Sequence, residues 1–444
     1  MISSCQDLRD QEERRPGVAM VPLLVGILTG SLAVSMVNTA LPSIVADLGA
    51  RPTHRAWIVD VYPLAMAASI VVAARLGDRF GRKALLLNGM TGFAVMNAVA
   101  GVAPGPGVLI GARVLLGVAG ALVVANVVST IAALYRGHAR TVANGLWVAT
   151  FGAANAVGPI LGGALTDHFG WRSVFLACVP IAASGILLTI WLVPDTRSQA
   201  VVSWDVPSVL ASAVALGGIV FGVQHVVANP VVGVTIAAVA IAVFAAFVRR
   251  QRRLSAPFIA VELFRERGFA GSFAQVLVSS ATAAASVYLI SIHVQDALGW
   301  SPTQAGLVLI PQAAATAVGG ICGPLLVRVM SRPVVVALAL TLQSAGLLWI
   351  AQGGGYAPGL ALVGFGFGIV GTLAVVALFN ATPTALLSHA GALQEIAFAV
   401  GSGLGIAVFD VIAGFAGAGG FVRALTIAGA ATLAVAALPT RTRR

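Results

Sequence analysis

Charge is what this 444-residue sequence has least of. Asp, Glu, Lys and Arg together make up 9% of it, against about 25% in soluble proteins. So few polar side chains cannot cover a water-exposed body, which excludes a soluble enzyme and a disordered chain. Cysteine is scarce too. Cys5, Cys178 and Cys322 stand far apart, in no metal-ligand spacing and no disulfide framework, and read as small apolar fillers. No G-x-G-x-x-G follows a strand, the phosphate-loop and zinc motifs G-x-x-x-x-G-K-[ST] and H-E-x-x-H are missing, and the six histidines stand singly. No enzyme activity, metal or cofactor is therefore expected, and any uphill work has to be driven by an ion gradient.

What fills the chain is apolar: 59% hydrophobic residues and 51 glycines, with a mean hydropathy of +0.97. A helix crossing about 30 Å of hydrocarbon needs about 20 apolar residues. Such stretches occur at 17–44, 56–76, 84–104, 107–134, 141–166, 171–193, 206–226, 230–248, 269–293, 302–327, 333–352, 357–381, 389–415 and 421–438. They predict an all-α integral membrane protein of fourteen spans. The first stretch is long and lacks a small-residue cleavage site, so it is expected to stay as a helix.

Lys and Arg orient the spans. Placing the N-terminus inside puts 21 of the 26 basic residues in inner segments and only Arg51, Arg55, Arg172 and Arg423 outside. Both termini are thus expected in the cytoplasm, in a plasma (inner) membrane. Topology then explains the net charge of +11, and no nucleic acid is needed as a partner. The inner connection 248–268 is expected to lie along the membrane face as an anchor.

Internal similarity divides the chain. GPILGGA (158–164) matches GSGLGIA (401–407), GVAGAL (117–122) matches GIVGTL (368–373), and ARLGDRFGRK (74–83) has a faded counterpart in PLLVRVMSRP (324–333). Each correspondence sits eight spans downstream. The expected organisation is two pseudo-symmetric six-helix bundles, 1–195 and 269–444, with two inserted helices in 196–268. Paired halves around a central site are the architecture of alternating-access transporters.

These motifs resemble the major facilitator superfamily, specifically its fourteen-helix drug:proton antiporter branch. AWIVDVYPL (56–64) resembles the second helix of its quaternary-ammonium exporters, LGDRFGRK (76–83) its inner-loop signature, and GPILGG (158–163) its antiporter signature. MVNTALPSI (36–44), WRSVFLACVP (171–180) and LGWSPTQAGLVLIPQA (298–313) also look characteristic. The resemblance implies that Gly77, Asp78, Arg79, Gly81 and Arg82 form an inner latch that holds an outward-open state. Gly158, Pro159, Gly162 and Gly163 read as a kinked small-residue face on which a helix of the C-terminal half packs. Three positions depart from the family pattern: Ala33, Leu116 and Ala399 stand where an acid, a glutamine and a second acid often occur.

Four charges fall inside spans: Asp60, Arg113, Glu395 and Asp410. Each costs about 2.5–3.5 kcal/mol at a helix centre on insertion scales, so such groups mark pathways or relays by default. Asp60 and Arg113 share a depth that permits an ion pair facing the N-terminal cavity, with coupling and bundle-bracing roles equally open. Glu395, between the small residues Gly391 and Ser402, is expected to bind a proton or a cationic substrate in alternation. Asp410 is expected at the membrane interface. Ser35, Asn38, Asn155 and Asn380 offer hydrogen bonds to a cavity, and Trp147, Phe151 and Tyr288 offer ring faces to a flat or cationic ligand.

The sequence therefore predicts a monomeric, lipid-embedded exporter that exchanges protons for lipophilic, often cationic small molecules. Two other readings stay open: a narrow exporter of one neutral antibiotic or metabolite, and a membrane sensor that binds without transporting.

Overall fold

The computed structural model describes residues 2–195, 205–226, 229–254, 257, 260–380, 382, 387–415 and 419–438. Side chains are described from Val18 onward, without those of some helical positions, chiefly between 137 and 149 and between 379 and 392. The expected boundary near 196 lies outside the described residues, as do the surroundings of Gly391 and Asn380.

Every regular element among the described residues is helical. The first bundle's helices are α1 (Ile2–Asp47), α2 (Pro52–Phe80), α3 (Arg82–Gly101), α4 (Pro106–Leu134), α5 (Gly137–Phe169), α6 (Arg172–Leu176) and α7 (Cys178–Leu192). A pair follows, α8 (Val206–His225) and α9 (Pro230–Gln251), and then a 3-10 turn over Val261–Arg265. The last group is α10 (Arg267–Asp296), α11 (Pro302–Val308), α12 (Ile310–Leu326), α13 (Arg332–Ala351), α14 (Tyr356–Asn380), α15 (Leu387–Phe415) and α16 (Gly420–Ala436). Two spans are broken in the middle, at Ala177 and at Leu309. Pro180 and Pro311 follow those breaks, where a missing N–H and a bulky ring disfavour continuation of the preceding turn. Counting each broken span once leaves fourteen segments close to those expected. Ten of them are long and apolar enough to cross a membrane, and the bent α2 makes an eleventh.

The segments alternate in direction. One end of the bundle carries the connections at 81, 135–136, 252–266 and 327–331, and with them most of the arginines; we term it the basic face. The other end carries those at 48–51, 102–105, 170–171 and 297–301 and is the opposite face.

Glycine contacts reproduce the sequence repeat in three dimensions. An added Cβ at Gly158 would strike Ser35 of α1, and one at Gly162 would meet the Met36 Cα at 2.7 Å. At Gly401 it would lie 2.5 Å from the Leu277 carbonyl of α10, and at Gly405 2.5 Å from the Ala281 Cα. The fifth span thus packs on the first as α15 packs on α10. Likewise Gly117 abuts α2 at Ala65, and Gly368 abuts α12 at Gly320. Small residues permit backbone-to-backbone approach, and that packing replaces the hydrophobic drive lost in lipid.

Helix α8 lies against both α2 and α15, and α9 packs mainly on α8. The hairpin is tied at its basic end, where Asp205 caps α8 and Arg250 of α9 donates to its carboxylate at 2.8 Å. The connection after α9 is docked rather than merely laid along the membrane. Ala260 and Leu263 are buried with Phe269, Leu378 and Leu393, and Arg75 of α2 donates to the Pro257 carbonyl at 3.3 Å.

Candidate functional site

Near the opposite face the two groups of helices are joined by polar contacts. Arg55, in the first turn of α2, pairs with Asp296 at the end of α10 at 2.5 Å. The Ser291 hydroxyl of α10 donates to the Asn38 carbonyl of α1 at 3.0 Å. Asp167, near the end of α5, accepts from the Thr303 N–H at 3.0 Å and from its hydroxyl. Beside it an added Cβ at Gly163 would meet the Pro302 carbonyl and the Thr303 Cα of α11. Gly306 of α11 reciprocates against Pro159 and Ile160.

This corrects one expectation for the GPILGG segment. Gly158 and Gly162 face α1 of their own bundle, and only Gly163 meets the C-terminal group. The sequence could not separate the two faces, because all three glycines are equally small.

Phe151 of α5 is 50% exposed, and an added Cβ at Gly152 would meet nothing within 4 Å. Asn155 is half-buried and spends its N–H on the Phe151 carbonyl at 2.8 Å. Trp147 packs on a cluster that includes Leu23, Met90 and Ile131, and its buried indole N–H has no partner among the described residues. Ser35 is buried, with its hydroxyl on the carbonyls of Ser31 and Ala154. The buried Oδ1 of Asn38 accepts no bond from a described residue. Tyr288 does not line an open space. It is buried, and its hydroxyl donates to Asp410 at 2.9 Å. Asp410 therefore sits in the seam between helices rather than at the membrane interface.

Asp60 and Arg113 are both 0% exposed, so neither faces a cavity. Arg113 is satisfied mainly by main chain: its Nε donates to the Ile58 carbonyl at 2.9 Å, and its two terminal nitrogens to Ala33 at 3.2 Å and Val59 at 3.3 Å. The Tyr62 ring lies 4.9 Å from the guanidinium carbon, and Asp60 acts on it electrostatically. The reason lies in the sequence AWIVDVYPL. Pro63 has no N–H for the carbonyl four residues back, so Val59 is left without its helical donor, and Arg113 supplies one. That signal was legible in the sequence and the spacing argument missed it.

The inner-loop residues form a local clasp. Arg82 donates to Asp78 at 3.0 Å and to the Ser129 carbonyl of α4 at 3.0 Å. Gly81 has φ +99°, a conformation that glycine adopts without strain, and Gly77 lies against the Asn126 side chain. Arg79 is exposed, with its guanidinium over the Phe80 ring. Each of these contacts stays within the first bundle.

Glu395 differs from the other embedded charges. It lies eight residues, or about 12 Å, into α15 from the basic end. It is half-buried, and no hydrogen bond or ion pair joins it to a described residue. Its neighbour Ile396 packs on Met66, Ala67 and Ile70 of α2, which fixes the helix and leaves the carboxylate uncommitted. Ser402, two turns on, is occupied with the Phe398 carbonyl. Among the described residues no three His, Cys, Asp or Glu groups converge on a metal-sized site.

Comparison with known proteins agrees with this architecture. The chain is 33% identical over 93% of its length to the multidrug efflux pump LfrA of Mycolicibacterium smegmatis, covering 84% of that protein. It is 30% identical over 90% of its length to the tetracenomycin C resistance and export protein of Streptomyces glaucescens, covering 76%. It is 29% identical over 90% to the methyl viologen resistance protein SmvA of Salmonella typhimurium, covering 82%. The profile of the Major Facilitator Superfamily matches residues 23–406. The chain is therefore a multi-pass membrane transporter rather than an enzyme, and it belongs to the Major Facilitator Superfamily.

Proposed function

We propose that the protein exports lipophilic, often cationic drugs or toxic small molecules across the plasma membrane in exchange for protons, by alternating access, with the basic face and both termini in the cytoplasm. The relatives named as efflux, resistance and export proteins support a drug exporter, and the bias of basic residues supports the orientation. The observation that carries proton exchange is Glu395, an acid within α15 that is half-buried and is joined to no described residue by a hydrogen bond or ion pair. Such a carboxyl can hold either a proton or an approaching cation, and exclusive occupancy yields exchange. Arg113, dry and braced by carbonyls, with Asp60 acting on it electrostatically, holds the Pro63 region of α2 in shape. The Asp78–Arg82 clasp is the part of the latch that the first bundle supplies; it engages the second when the basic face closes. The contacts at the opposite face support reading this arrangement as the state closed to the outside.

The test is efflux of a fluorescent lipophilic cation from vesicles, with and without an imposed pH gradient. Efflux should need the gradient, and Glu395→Gln should abolish that need along with net pumping. Full gradient-driven efflux by the Gln variant would remove Glu395 from the mechanism.

A narrower specificity, for one neutral antibiotic, is favoured by two observations. Ala33, Leu116 and Ala399 replace polar or acidic groups that often serve broad cation exporters of the resembled branch. Some relatives are named for a single compound, such as the methylenomycin A resistance protein of Streptomyces coelicolor. A drug-susceptibility panel in a pump-deficient host separates the two: protection against one compound alone supports the narrow reading.

A further inference from the structure

The seam at the opposite face carries one carboxylate too many. Arg55 of α2 reaches across to Asp296 of α10 at 2.5 Å. Asp410 of α15 lies beside them, with the Tyr288 hydroxyl 2.9 Å from its Oδ1, and the cation acting on it is that same Arg55. One arginine thus faces two aspartates. Deeper in α2, Asp60 and Arg113 balance each other's charge, which leaves the surplus of one negative charge with Asp410.

Among the described residues, the remaining ionisable groups on the packed elements make no hydrogen bond or ion pair with Asp410; on α2, His54 beside Arg55 accepts the Arg51 N–H at its Nδ1. On α10, His293 is stacked against Phe421 of α16 at 4.0 Å. On α8, His225 is stacked on Phe221 and bonded to its carbonyl. Arg423 of α16 is exposed, and Tyr356 of α14 packs by Trp300. Glu395 lies fifteen residues along α15, about 22 Å away.

Closing this seam takes the Asp410 carboxyl out of water against an apolar wall that includes Ile406 and Phe409. An ionised carboxylate without its own cation resists that transfer, whereas the protonated acid does not. Either hydroxyl, that of Tyr288 or that of the acid, can then donate across the 2.9 Å contact.

We infer that Asp410 is a hydrogen-ion binding site of the opposite-face gate, and that the seam between α2, α10 and α15 closes with a proton on Asp410. The site is separate from Glu395 and acts on the other side of the cycle. A proton taken from outside permits closure and turns the carrier toward the cytoplasm. Reopening in mildly alkaline surroundings releases it. This rests on the orientation proposed above and gives that reading its outer half.

The experiment measures the gate without any transport. In a background with Cys5, Cys178 and Cys322 replaced by serine, Ser291→Cys places a thiol under the closed seam. It is labelled in sealed, right-side-out vesicles by a membrane-impermeant maleimide, and the rate is normalised to Leu298→Cys, which is exposed. Labelling should fall several-fold as the outside pH is lowered from 8 to 6. In Asp410→Asn, permanently uncharged, it should be low and flat over that range. Asp410→Ala, also neutral but of different shape, must give the same flat profile if either variant does so for the reason of charge.

A pH profile in both variants as steep as in the parent would overturn the inference. So would a profile flattened by His54→Asn or His293→Asn but not by substitution of Asp410. Glu395→Gln removes the other proposed proton site and can shift the overall labelling level, but the fall between pH 8 and 6 should persist in it, because that fall comes from Asp410. If that variant also pumps normally, the proton reading of Glu395 fails while the gate result stands.

Discussion

Gly163→Ala is the most discriminating perturbation of the transport cycle. In the structure an added Cβ at this position would meet the Pro302 carbonyl carbon and the Thr303 Cα, each at 2.7 Å. Real Cβ contacts are essentially never that short, and the atoms in the way are backbone, so α5 and α11 must separate. Overpacking of this kind costs about 1–3 kcal/mol. The cost falls only on the state in which the opposite face is closed, because Gly163 touches the other bundle only there. It should therefore shift the equilibrium toward an open opposite face by about 5- to 150-fold.

Gly158→Ala is the control. Its Cβ would strike Ser35 within the same bundle, so it burdens both states alike and lowers thermal stability without moving the equilibrium. The assay is labelling of Ser291→Cys from outside, together with efflux rate. Gly163→Ala should label several-fold faster than the parent and pump more slowly. Equal labelling in Gly163→Ala and the parent would refute the assignment of this seam as the moving gate.

Other consequences follow from the same geometry. Arg113→Lys keeps the charge but loses the planar fork that reaches three carbonyls. Leaving one or two of them unpaired at about 1–3 kcal/mol each should lower the melting temperature in detergent, and a value equal to the parent's would show that the carbonyl contacts carry no weight. Gly81→Ala forces a side chain into φ +99°, a strain of about 1–3 kcal/mol; the expected readout is reduced stability and slower transport, and unchanged behaviour would remove the turn from the latch. The Asp205 carboxyl is held below its ordinary value of 3.8, first by its hydrogen bond from Arg250 and then by Ser208. A depressed acid contributes stability above that ordinary value and loses it as pH falls through the lower, folded-state value. Asp205→Asn should therefore loosen the α8–α9 hairpin slightly at neutral pH, by less than about 1 kcal/mol for so exposed a pair, with the difference from the parent vanishing in strong acid. Limited proteolysis at the hairpin ends measures it.

The span pattern was legible because lipid imposes a single requirement, an apolar run long enough to satisfy its own backbone bonds. The repeat was legible as well: Gly158 with Gly401, and Gly162 with Gly405, occupy equivalent places because close helix approach tolerates nothing larger. Much less of the site could be read. Asp60 and Arg113 were legible as embedded charges, but what surrounds Arg113 depends on Pro63, a backbone effect that a charge count does not register. Tyr288 looks like a ring available to a ligand until its hydroxyl is seen on Asp410. Arg55 and Asp296 are distant in sequence and look like ordinary loop charges, yet they form the ion pair that bridges the seam.

Local composition alone determined that this chain lives in a membrane, where its apolar helices run and where most of its charge is excluded, since each depends only on the partition of residues between water and hydrocarbon. Tertiary structure decided which face of each helix meets which neighbour, and so which embedded acids are sealed and which stay open. Glu395 and Asp60 are both single acids on apolar helices. Packing leaves the first half-buried with no partner among the described residues and makes the second dry, because the dielectric and the partners around a carboxylate come from helices far away in sequence.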